Sequence, residues 1–257
     1  MKLSQIALQL YTLRDYLKTP ADVAATLKKV RSIGYETIQV SGMGPIPEAD
    51  LMTICKGEGL KICGTHEPSA MVLENPAAIA ERLHKLGCTL TAYPFPAGID
   101  FADASCVAKL IKDLEASGKV LREAGCCLTY HNHANEFLRV GGRTVLEQIY
   151  AETSPENLQA ELDTYWIQFG GGDSTAWVRK MAGRLPWLHL KDYAFTAENK
   201  PMFAEVGSGN LDWGSIIPAA EEAGCQWFIV EQDTCPGDPF DSVAQSLAYL
   251  KSNFLKA

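Results

Sequence analysis

Apolar residues recur along this chain in two alternating spacings. Eight short runs rich in Val, Ile, Leu, Thr and Cys are typical of buried strands, and each precedes a stretch with the three- and four-residue spacing of an amphipathic helix. The predicted strands lie near residues 5–10, 36–41, 60–65, 88–93, 126–133, 158–163, 187–191 and 227–232. Two clear helical stripes are Val23, Leu27 and Val30 within residues 22–33, and Leu110, Ile111, Leu114 and Leu121 within residues 107–124.

Glycine marks the ends of five predicted helices, at Gly34, Gly59, Gly87, Gly125 and Gly224. Each stands before an apolar residue that leads into a predicted strand, because glycine accepts the left-handed conformation that ends a helix. Strands and helices that alternate with short connections predict an all-parallel sheet, and eight repeats favour a closed barrel over an open sheet. An open nucleotide-binding sheet would carry a glycine-rich turn after its first strand, and this chain has none there. The predicted fold is a single (β/α)8 TIM barrel.

Length and composition narrow the function. The 257 residues fit one domain spanning 1–257, since such barrels run to about 250 residues. A net charge of -8 opposes binding to nucleic acid and favours a small, uncharged or metal-chelated substrate. Eight cysteines without a CxxC pair are typical of reduced core residues. Neither a signal peptide nor a run of ~20 apolar residues is evident, so we expect a cytoplasmic protein with no membrane partner.

Polar groups stand at the ends of the last four predicted strands. They are His131 and His133 with Glu136 beyond them, Glu161 and Asp163, His189 and Lys191, and Glu231 and Asp233. Residues two apart on a strand share a face, and the carboxyl ends of barrel strands form the active-site face. Several carboxylates and imidazoles gathered at one place are most simply stabilised by a divalent cation. Their oxygen and nitrogen donors predict one ion of Mn, Co, Zn or Mg.

These segments resemble those of the sugar isomerase and epimerase family with a xylose-isomerase-like TIM barrel. The resemblance rests on residues 130–137, 161–166, 189–192, 205–209 and 230–233, in order at consecutive strand ends. It implies one divalent metal bound by Glu, Asp, His and Glu from strands five to eight. Asp163, His189 and Glu231 match the last three ligands. A His-Asn-His run replaces the strand-five Glu, so Glu136 is expected as the first ligand and His133 is the alternative.

The resemblance also implies a reaction. A metal that chelates a sugar carbonyl and its neighbouring hydroxyl stabilises the enediolate left when the adjacent C–H loses its proton, as in isomerisation or epimerisation. His131 and His133 stand where a carboxylate is expected, which is closer to the 3-keto-glycoside lyases, hydratases and inosose dehydratases. In that alternative a strand-five imidazole is the base for β-elimination. The predicted catalytic residues are His131, His133, Glu231 and Lys191.

Other residues have two readings each. His66, Gln9, Trp166 and Glu161 are predicted to contact substrate, although Glu161 also suits a position that orients a metal ligand and Gln9 suits packing. Asp163 could cap the turn after strand six, and Lys191 could pair with Glu161 or Asp233.

Two loop segments near the active-site face each suit two roles. The triplet at residues 170–172 suits a mobile cover or a capping turn, and residues 93–96 suit a contact in a homo-oligomer or a loop anchored in the core. A barrel nuclease with three zinc ions needs more histidine ligands than five histidines supply at one mouth.

Overall fold

Eight parallel strands close into a barrel in this computed structural model, which describes residues 1–255. We number the barrel strands β1 to β8; each pairs with its sequence neighbours, and β8 pairs with β1. Their bounds are Ile6–Gln9 (β1), Thr37–Val40 (β2), Lys61–His66 (β3), Leu90–Tyr93 (β4), Cys127–His131 (β5), Leu158–Asp163 (β6), Trp187–Leu190 (β7) and Trp227–Val230 (β8). All eight strands predicted from the apolar runs are confirmed, as is the TIM barrel.

Ten α-helices are described around the strands. They are Pro20–Ile33 (α1), Glu48–Glu58 (α2), Ser69–Glu74 (α3), Pro76–Lys85 (α4), Ala104–Glu123 (α5), Val145–Ala151 (α6), Thr164–Phe169 (α7), Ser174–Lys180 (α8), Trp213–Glu222 (α9) and Pro239–Phe254 (α10). The predicted stripe of α1 is buried, and a capping box between Thr19 and Asp22 starts that helix. Gly34 ends α1 with φ of 115°, as the sequence predicted.

Three short 3-10 helices and two hairpins interrupt the strand–helix alternation. The 3-10 helices cover Leu3–Gln5, Leu10–Tyr16 and Asn135–Phe137. One hairpin pairs Arg139–Val140 with Arg143–Thr144, and the other pairs Asp192–Phe195 with Pro201–Ala204. Both hairpins and two of the 3-10 helices follow the carboxyl ends of barrel strands, so they build the rim of the active-site face.

Strand register brings the polar ends together. His131 of β5 lies opposite Glu161 of β6, and Asp163 of β6 lies opposite His189 of β7. His189 in turn lies opposite Ile229 of β8, two residues before Glu231. Register partners point to the same side of a sheet, so these side chains all face the barrel axis.

A layer of apolar side chains fills the barrel below these polar groups. Trp187 is its largest member, fully buried, with its indole N–H donating to the Thr129 hydroxyl at 3.0 Å. Ala7, Cys63, Ala92 and Ile229 surround it in a separate interior cluster. The indole fits because Gly64 has no side chain. This layer supports the polar groups from below.

All eight cysteines are free thiols in this structure, and five of them are buried.

No helix among residues 1–255 is both long and apolar enough to cross a membrane.

Gly64→Ala tests the interior layer. A Cβ at Gly64 would lie 2.4 Å from the Trp187 ring and 2.5 Å from the Leu90 carbonyl oxygen. Because the backbone oxygen cannot move away freely, we expect a loss of about 1–3 kcal/mol in the free energy of unfolding, measured by urea denaturation. The matched control is Gly57→Ala, at an exposed position in the last turn of α2 where a Cβ would meet no atom within 4 Å, which we expect to stabilise by up to about 1 kcal/mol. Equal stability of both variants would contradict this packing.

Candidate active site

Four side chains converge at the carboxyl ends of β5 to β8. His131, Asp163, His189 and Glu231 each offer one donor atom, and these atoms lie within 4.8 Å of one another. His131 is the last residue of β5 and Asp163 the last of β6, whereas His189 lies inside β7 and Glu231 follows β8. All four are buried, so their charges interact strongly.

The two carboxylate oxygens of Asp163 have different partners. Oδ1 accepts the backbone N–H of Trp166 at 3.1 Å and so caps the start of α7. Oδ2 lies 3.3 Å from Nε2 of His131 and 3.0 Å from Nζ of Lys191. Helix capping and membership of the polar cluster, which the sequence left as alternatives, therefore coexist in one residue.

Each imidazole of the cluster has one nitrogen held by a carbonyl group. Nδ1 of His131 donates to the Pro94 oxygen at 3.2 Å, and Nε2 of His189 donates to the side-chain oxygen of Gln39 at 2.8 Å. The opposite nitrogens face carboxylates, since Nδ1 of His189 lies 2.9 Å from Oε2 of Glu231. A lone pair aimed at a carboxylate needs a proton or a cation between them.

This donor set fits a divalent cation. Two imidazoles are oriented by hydrogen bonds on the far side of each ring, as is usual for histidines that bind metal. Two carboxylates supply negative charge, and no sulfur is present in the group. Nitrogen and oxygen donors together suit Mn, Co, Zn or Mg. His131, Asp163, His189 and Glu231 are therefore a four-donor group that could hold the ion. His66, Glu161 and His189 form a second, three-donor group that shares His189.

Lys191 forms ion pairs with three carboxylates beside the cluster. Its Nζ lies 2.7 Å from Oε2 of Glu231, 3.0 Å from Oδ2 of Asp163 and 3.1 Å from Oδ2 of Asp233. Burial opposes its charge, but these carboxylates outweigh burial and raise the pKa of Lys191. The side chain is 1% exposed and therefore stands as a buried ammonium group.

Glu161 lies behind the cluster and joins it to His66. Its Oε2 is 2.6 Å from Nε2 of His66, and its Oε1 is 2.9 Å from Nε2 of His189. Gln39 donates to the same carboxylate at 2.6 Å and accepts from Gln9 at 2.8 Å. Gln9 and Glu161, predicted as substrate contacts, thus belong to a buried hydrogen-bond chain that orients His66 and His189.

The charges of Glu161 and His189 stabilise each other. Burial disfavours the carboxylate, but His66 and His189 outweigh burial and lower the pKa of Glu161. Burial likewise disfavours the imidazolium, but Glu161 and Glu231 raise the pKa of His189 to about 10. Without a metal, His189 is therefore an imidazolium, with Nε2 facing Glu161 and Nδ1 facing Glu231.

Glu136 is not brought to the cluster. It is fully buried, and its carboxylate accepts the Tyr130 hydroxyl at 2.8 Å and the backbone N–H of His133 at 2.9 Å. The 3-10 turn at Asn135–Phe137 directs the side chain back under the loop, and His131 is the β5 residue in the four-donor group. Burial raises the pKa of Glu136 to about 7.

Comparison with known proteins agrees with this geometry. A profile described as "Xylose isomerase-like TIM barrel" matches residues 27–253. The chain belongs to that family. The match covers the seven strands β2 to β8 and all four residues of the cluster.

Relatives in the family differ in their reactions. The inosose dehydratase of Geobacillus thermodenitrificans strain NG80-2 is 26% identical over 159 residues, which are 55% of this chain and 53% of that protein. The aligned part thus spans about half the length of the curated relatives it matches.

Solved structures share the whole fold. A sugar phosphate isomerase/epimerase from Parabacteroides distasonis ATCC 8503 matches with a TM-score of 0.82 and 24% identity, over 98% of this chain and 99% of that chain. A family member from Mycobacterium smegmatis in complex with magnesium matches with a TM-score of 0.77 and 14% identity, over 98% and 97% of the two chains.

An aromatic wall borders one side of the site. The ring of His133 lies 5.2 Å from that of Trp166 and 5.0 Å from that of Phe95, which is 48% exposed. Nζ of Lys191 is 5.6 Å from the Trp166 ring. Burial lowers the pKa of His133 well below its usual range, so the ring is uncharged. Trp166 and His133 lie beside the four-donor cluster and are not members of it.

The glycine triplet after α7 makes room for Phe137. A Cβ at Gly170 would lie 2.4 Å from the Phe137 ring, and one at Gly172 would lie 2.6 Å from it. The Phe137 ring also meets Trp177 edge to face at 5.8 Å. The glycines thus tie the loop after β5 to the loop after β6.

Asp192 organises the loop after β7. Its Oδ2 accepts the backbone N–H groups of Gly207 and Gly209 at 2.9 and 3.1 Å and the Trp213 indole N–H at 2.7 Å. Its Oδ1 accepts the Leu211 N–H at 3.2 Å. The glycines of this loop let its backbone approach a carboxylate of the protein itself, since a Cβ at Gly209 would lie 2.4 Å from Asp192.

Sequence reasoning gave no role to Gln39, Asn132 or Asp192. Gln39 is a long polar side chain inside the buried strand β2, which was a usable signal because its side chain points to the barrel axis. Asn132 accepts the backbone N–H of Asp163 at 3.0 Å and so fixes that residue. Only the loop path after β7 reveals the role of Asp192.

Glu136→Gln tests the buried carboxyl through pH. Because the folded protein raises the pKa of Glu136 from 4.5 to about 7, it holds this proton more tightly than the unfolded chain. The stabilisation is complete below about pH 4.5 and is lost as pH rises through about 7. Relative to Glu136→Gln, the wild type should lose up to roughly 3 kcal/mol between pH 4.5 and 8. Urea unfolding of both metal-free proteins at several pH values measures this, and parallel curves would contradict it.

Proposed function

We propose that this protein is a divalent-metal-dependent enzyme that dehydrates a polyhydroxylated ketone or aldehyde. It removes the proton next to the carbonyl and expels from the following carbon a hydroxyl group, which leaves as water. In a glycoside the group expelled is an alkoxyl, which leaves as the alcohol. The proposal is supported by the four converging donors His131, Asp163, His189 and Glu231, and by the likeness to an inosose dehydratase.

The metal would be held by the four residues of the cluster. When bound, it supplies Lewis-acid polarisation of the substrate carbonyl. Lys191 keeps Asp163 and Glu231 ionised, since its ammonium lies within 3.0 Å of both. Pro94 and Gln39 hold the two imidazoles in the tautomers whose lone pairs face the ion.

His66 is the base we propose for the proton next to the carbonyl. Its Nε2 faces the buried carboxylate of Glu161 at 2.6 Å, which fixes the ring and leaves Nδ1 as the basic nitrogen. The side chain is 8% exposed at the barrel mouth, so a substrate can reach it. Both nitrogens of His131, by contrast, already have partners in Pro94 and Asp163. We therefore prefer His66 to the strand-five histidine as base.

Lys191 is the proton donor we propose on the other side. It belongs to the β7 end, which is opposite β3 across the barrel, so Lys191 and His66 flank the cluster. Its raised pKa keeps the ammonium charged, and that group can donate to the departing oxygen as the bond to carbon breaks. Asp233, 3.1 Å from Nζ, holds the ammonium toward the mouth.

One observation favours elimination over epimerisation. The resemblance implies that epimerases of this family pass the proton between two carboxylates on opposite faces of the sugar. Here the β5 position is an imidazole, His131, and Glu231 has no carboxylate partner from that strand in the four-donor group. The proton transfer between two carboxylates that the resemblance implies therefore lacks its β5 member here.

Isomerisation is the second candidate. It is supported by the contact of Lys191 with Glu231 at 2.7 Å, because an ammonium and a carboxylate in contact can move a proton between adjacent carbons without crossing the sugar ring. This candidate predicts a ketose or aldose as product and no loss of water.

Metal analysis of variants tests the ligand set. We expect about one equivalent of Mn, Co, Zn or Mg in the wild type and a loss of at least tenfold in Mn affinity in His131→Ala and Asp163→Ala. Glu136→Gln is the matched control and should keep the ion, because its carboxylate faces Tyr130 and His133. Elemental analysis and calorimetric Mn titration measure both. Metal lost from Glu136→Gln but kept by His131→Ala would contradict the assignment.

Turnover in D2O tests the reaction and its base. Keto-inositols, keto sugars and 3-keto glycosides incubated with Mn-loaded enzyme should give a conjugated enone, followed by its ultraviolet absorbance. Mass spectrometry should show loss of water, or loss of the aglycone alcohol from a 3-keto glycoside. His66→Asn should lower kcat by about 10²–10⁴-fold. His84→Asn, an exposed histidine on α4, is the control and should leave kcat unchanged.

The product distinguishes the two candidates. If the product is an epimer or isomer labelled with deuterium and no enone forms, the reaction is not dehydration and the second candidate is favoured. Full activity in His66→Asn would exclude His66 as base.

A further inference from the structure

Two buried ring nitrogens beside the cluster have no hydrogen-bond partner. They are Nε1 of Trp166 and Nδ1 of His133, whose rings lie 5.2 Å apart. Among residues 1–255, only one further buried side-chain nitrogen or oxygen lacks a partner, Nδ2 of Asn132. A buried polar atom without a partner costs about 1–3 kcal/mol, so such atoms usually bind a ligand or an ordered water. All three belong to the segments that follow β5 and β6.

These nitrogens border the place where a substrate would lie. The His133 ring is 4.9 Å from the ring of His131, a member of the four-donor cluster. Nζ of Lys191 is 5.6 Å from the Trp166 ring. Phe95 and Phe169, both exposed at 45% or more, meet the His133 and Trp166 rings from outside. Polar atoms set in an aromatic wall suit a sugar, which offers hydroxyl groups on an apolar ring face.

The positions that commonly bind phosphate in TIM barrels are filled by carboxylates of this chain. Such sites use backbone N–H groups of the loops after strands seven and eight. After β7, Asp192 already accepts the N–H groups of Gly207, Gly209 and Leu211. After β8, the carboxylate of Asp233 lies against Lys191. A phosphate group would have to displace one of these anions or lie beside it.

The described cations near the mouth are also engaged. Lys191 is shared by three carboxylates within 3.1 Å. Arg14, in the segment after β1, donates to the backbone oxygens of Tyr11 and Asp233 at 2.9 Å. A phosphate dianion bound near the aromatic wall would therefore be desolvated with little compensating charge. A hydroxyl group can accept from the indole N–H and also bond an imidazole nitrogen, without adding charge.

We propose that the substrate is an uncharged polyhydroxy ketone or aldehyde rather than a phosphate ester, and that Trp166 Nε1 and His133 Nδ1 bind one of its hydroxyl groups. This inference rests on the proposed function for the location of the reacting carbonyl. It adds a second contact point, so the substrate is held by the cluster at one end and by the aromatic wall at the other.

Nuclear magnetic resonance of the Trp166 indole tests the subsite. The chain has five tryptophans, so 15N-labelled protein loaded with Mg or Zn gives at most five indole N–H signals, and Trp166→Phe assigns one of them. The probes are a keto-inositol, D-fructose, D-fructose 6-phosphate and inorganic phosphate. We expect at least one uncharged probe to shift the Trp166 signal in a saturable way, and inorganic phosphate to leave it in place.

Affinity of the variant gives a second readout. Trp166→Phe keeps an aromatic ring in the wall but loses the N–H donor together with part of the indole surface, so it should bind the same uncharged probe about 3- to 10-fold more weakly. Trp177→Phe, a control on the outer helix α8, should bind it as the wild type does. D-fructose 6-phosphate should bind no more tightly than D-fructose to the wild type.

Two results would overturn the inference. The first is a Trp166 signal that no uncharged probe moves, with unchanged affinity in Trp166→Phe. The second is tighter binding of the phosphate ester than of the uncharged sugar. Either result is distinct from failure of the proposed function, which is judged by enone formation and metal content rather than by the indole signal. Dehydration of a keto sugar with an unmoved Trp166 signal would keep the function and remove the subsite.

Discussion

Four carboxylates gathered at the ends of β6 to β8, three of them buried and Asp233 half-buried, are the constraint that the rest of the site satisfies. Glu161, Asp163, Glu231 and Asp233 would repel one another in a medium of low polarity, and burying them without compensation is costly. The chain supplies one ammonium, Lys191, that touches three of them and one imidazole, His189, that touches two. A divalent ion in the four-donor cluster would add the remaining positive charge.

This electrostatic arrangement is supported from below by buried apolar side chains. Trp187 and its small neighbours fill the interior under the polar groups, so the side chains have no room to turn inward. Hydrogen bonds on the outer side of the site then fix each group, through Pro94 for His131, Gln39 for His189 and Asn132 for Asp163. Groups held in this way need little reorganisation when charge develops on a substrate.

Much of the fold could be predicted from the sequence because it follows from short-range periodicity. The eight apolar runs, the glycine that ends α1 and the polar strand ends each reflect a local rule, and parallel closure then places Asp163, His189 and Glu231 together. The direction of Glu136 could not be predicted. It depends on a 3-10 turn after β5 and on the Tyr130 hydroxyl, which lies six residues away in sequence but beneath the loop.

Roles that depend on several distant elements were also out of reach of sequence reasoning. The role of Asp192 depends on the path of the loop after β7, whose backbone N–H groups donate to the Asp192 carboxylate. The glycine triplet is explained by Phe137 of another loop, whose ring occupies the space that side chains at Gly170 and Gly172 would fill. Gln39 was detectable in principle as a polar residue in an apolar strand, but its partners lie on β1, β6 and β7.

Anomalous X-ray diffraction from crystals soaked in Mn shows whether His131, Asp163, His189 and Glu231 form one metal site. We expect a single strong anomalous peak in contact with all four side chains, with Glu136 still bonded to Tyr130 and His133. A peak beside Glu136 or His133, or no peak at saturating Mn, would rule this site out.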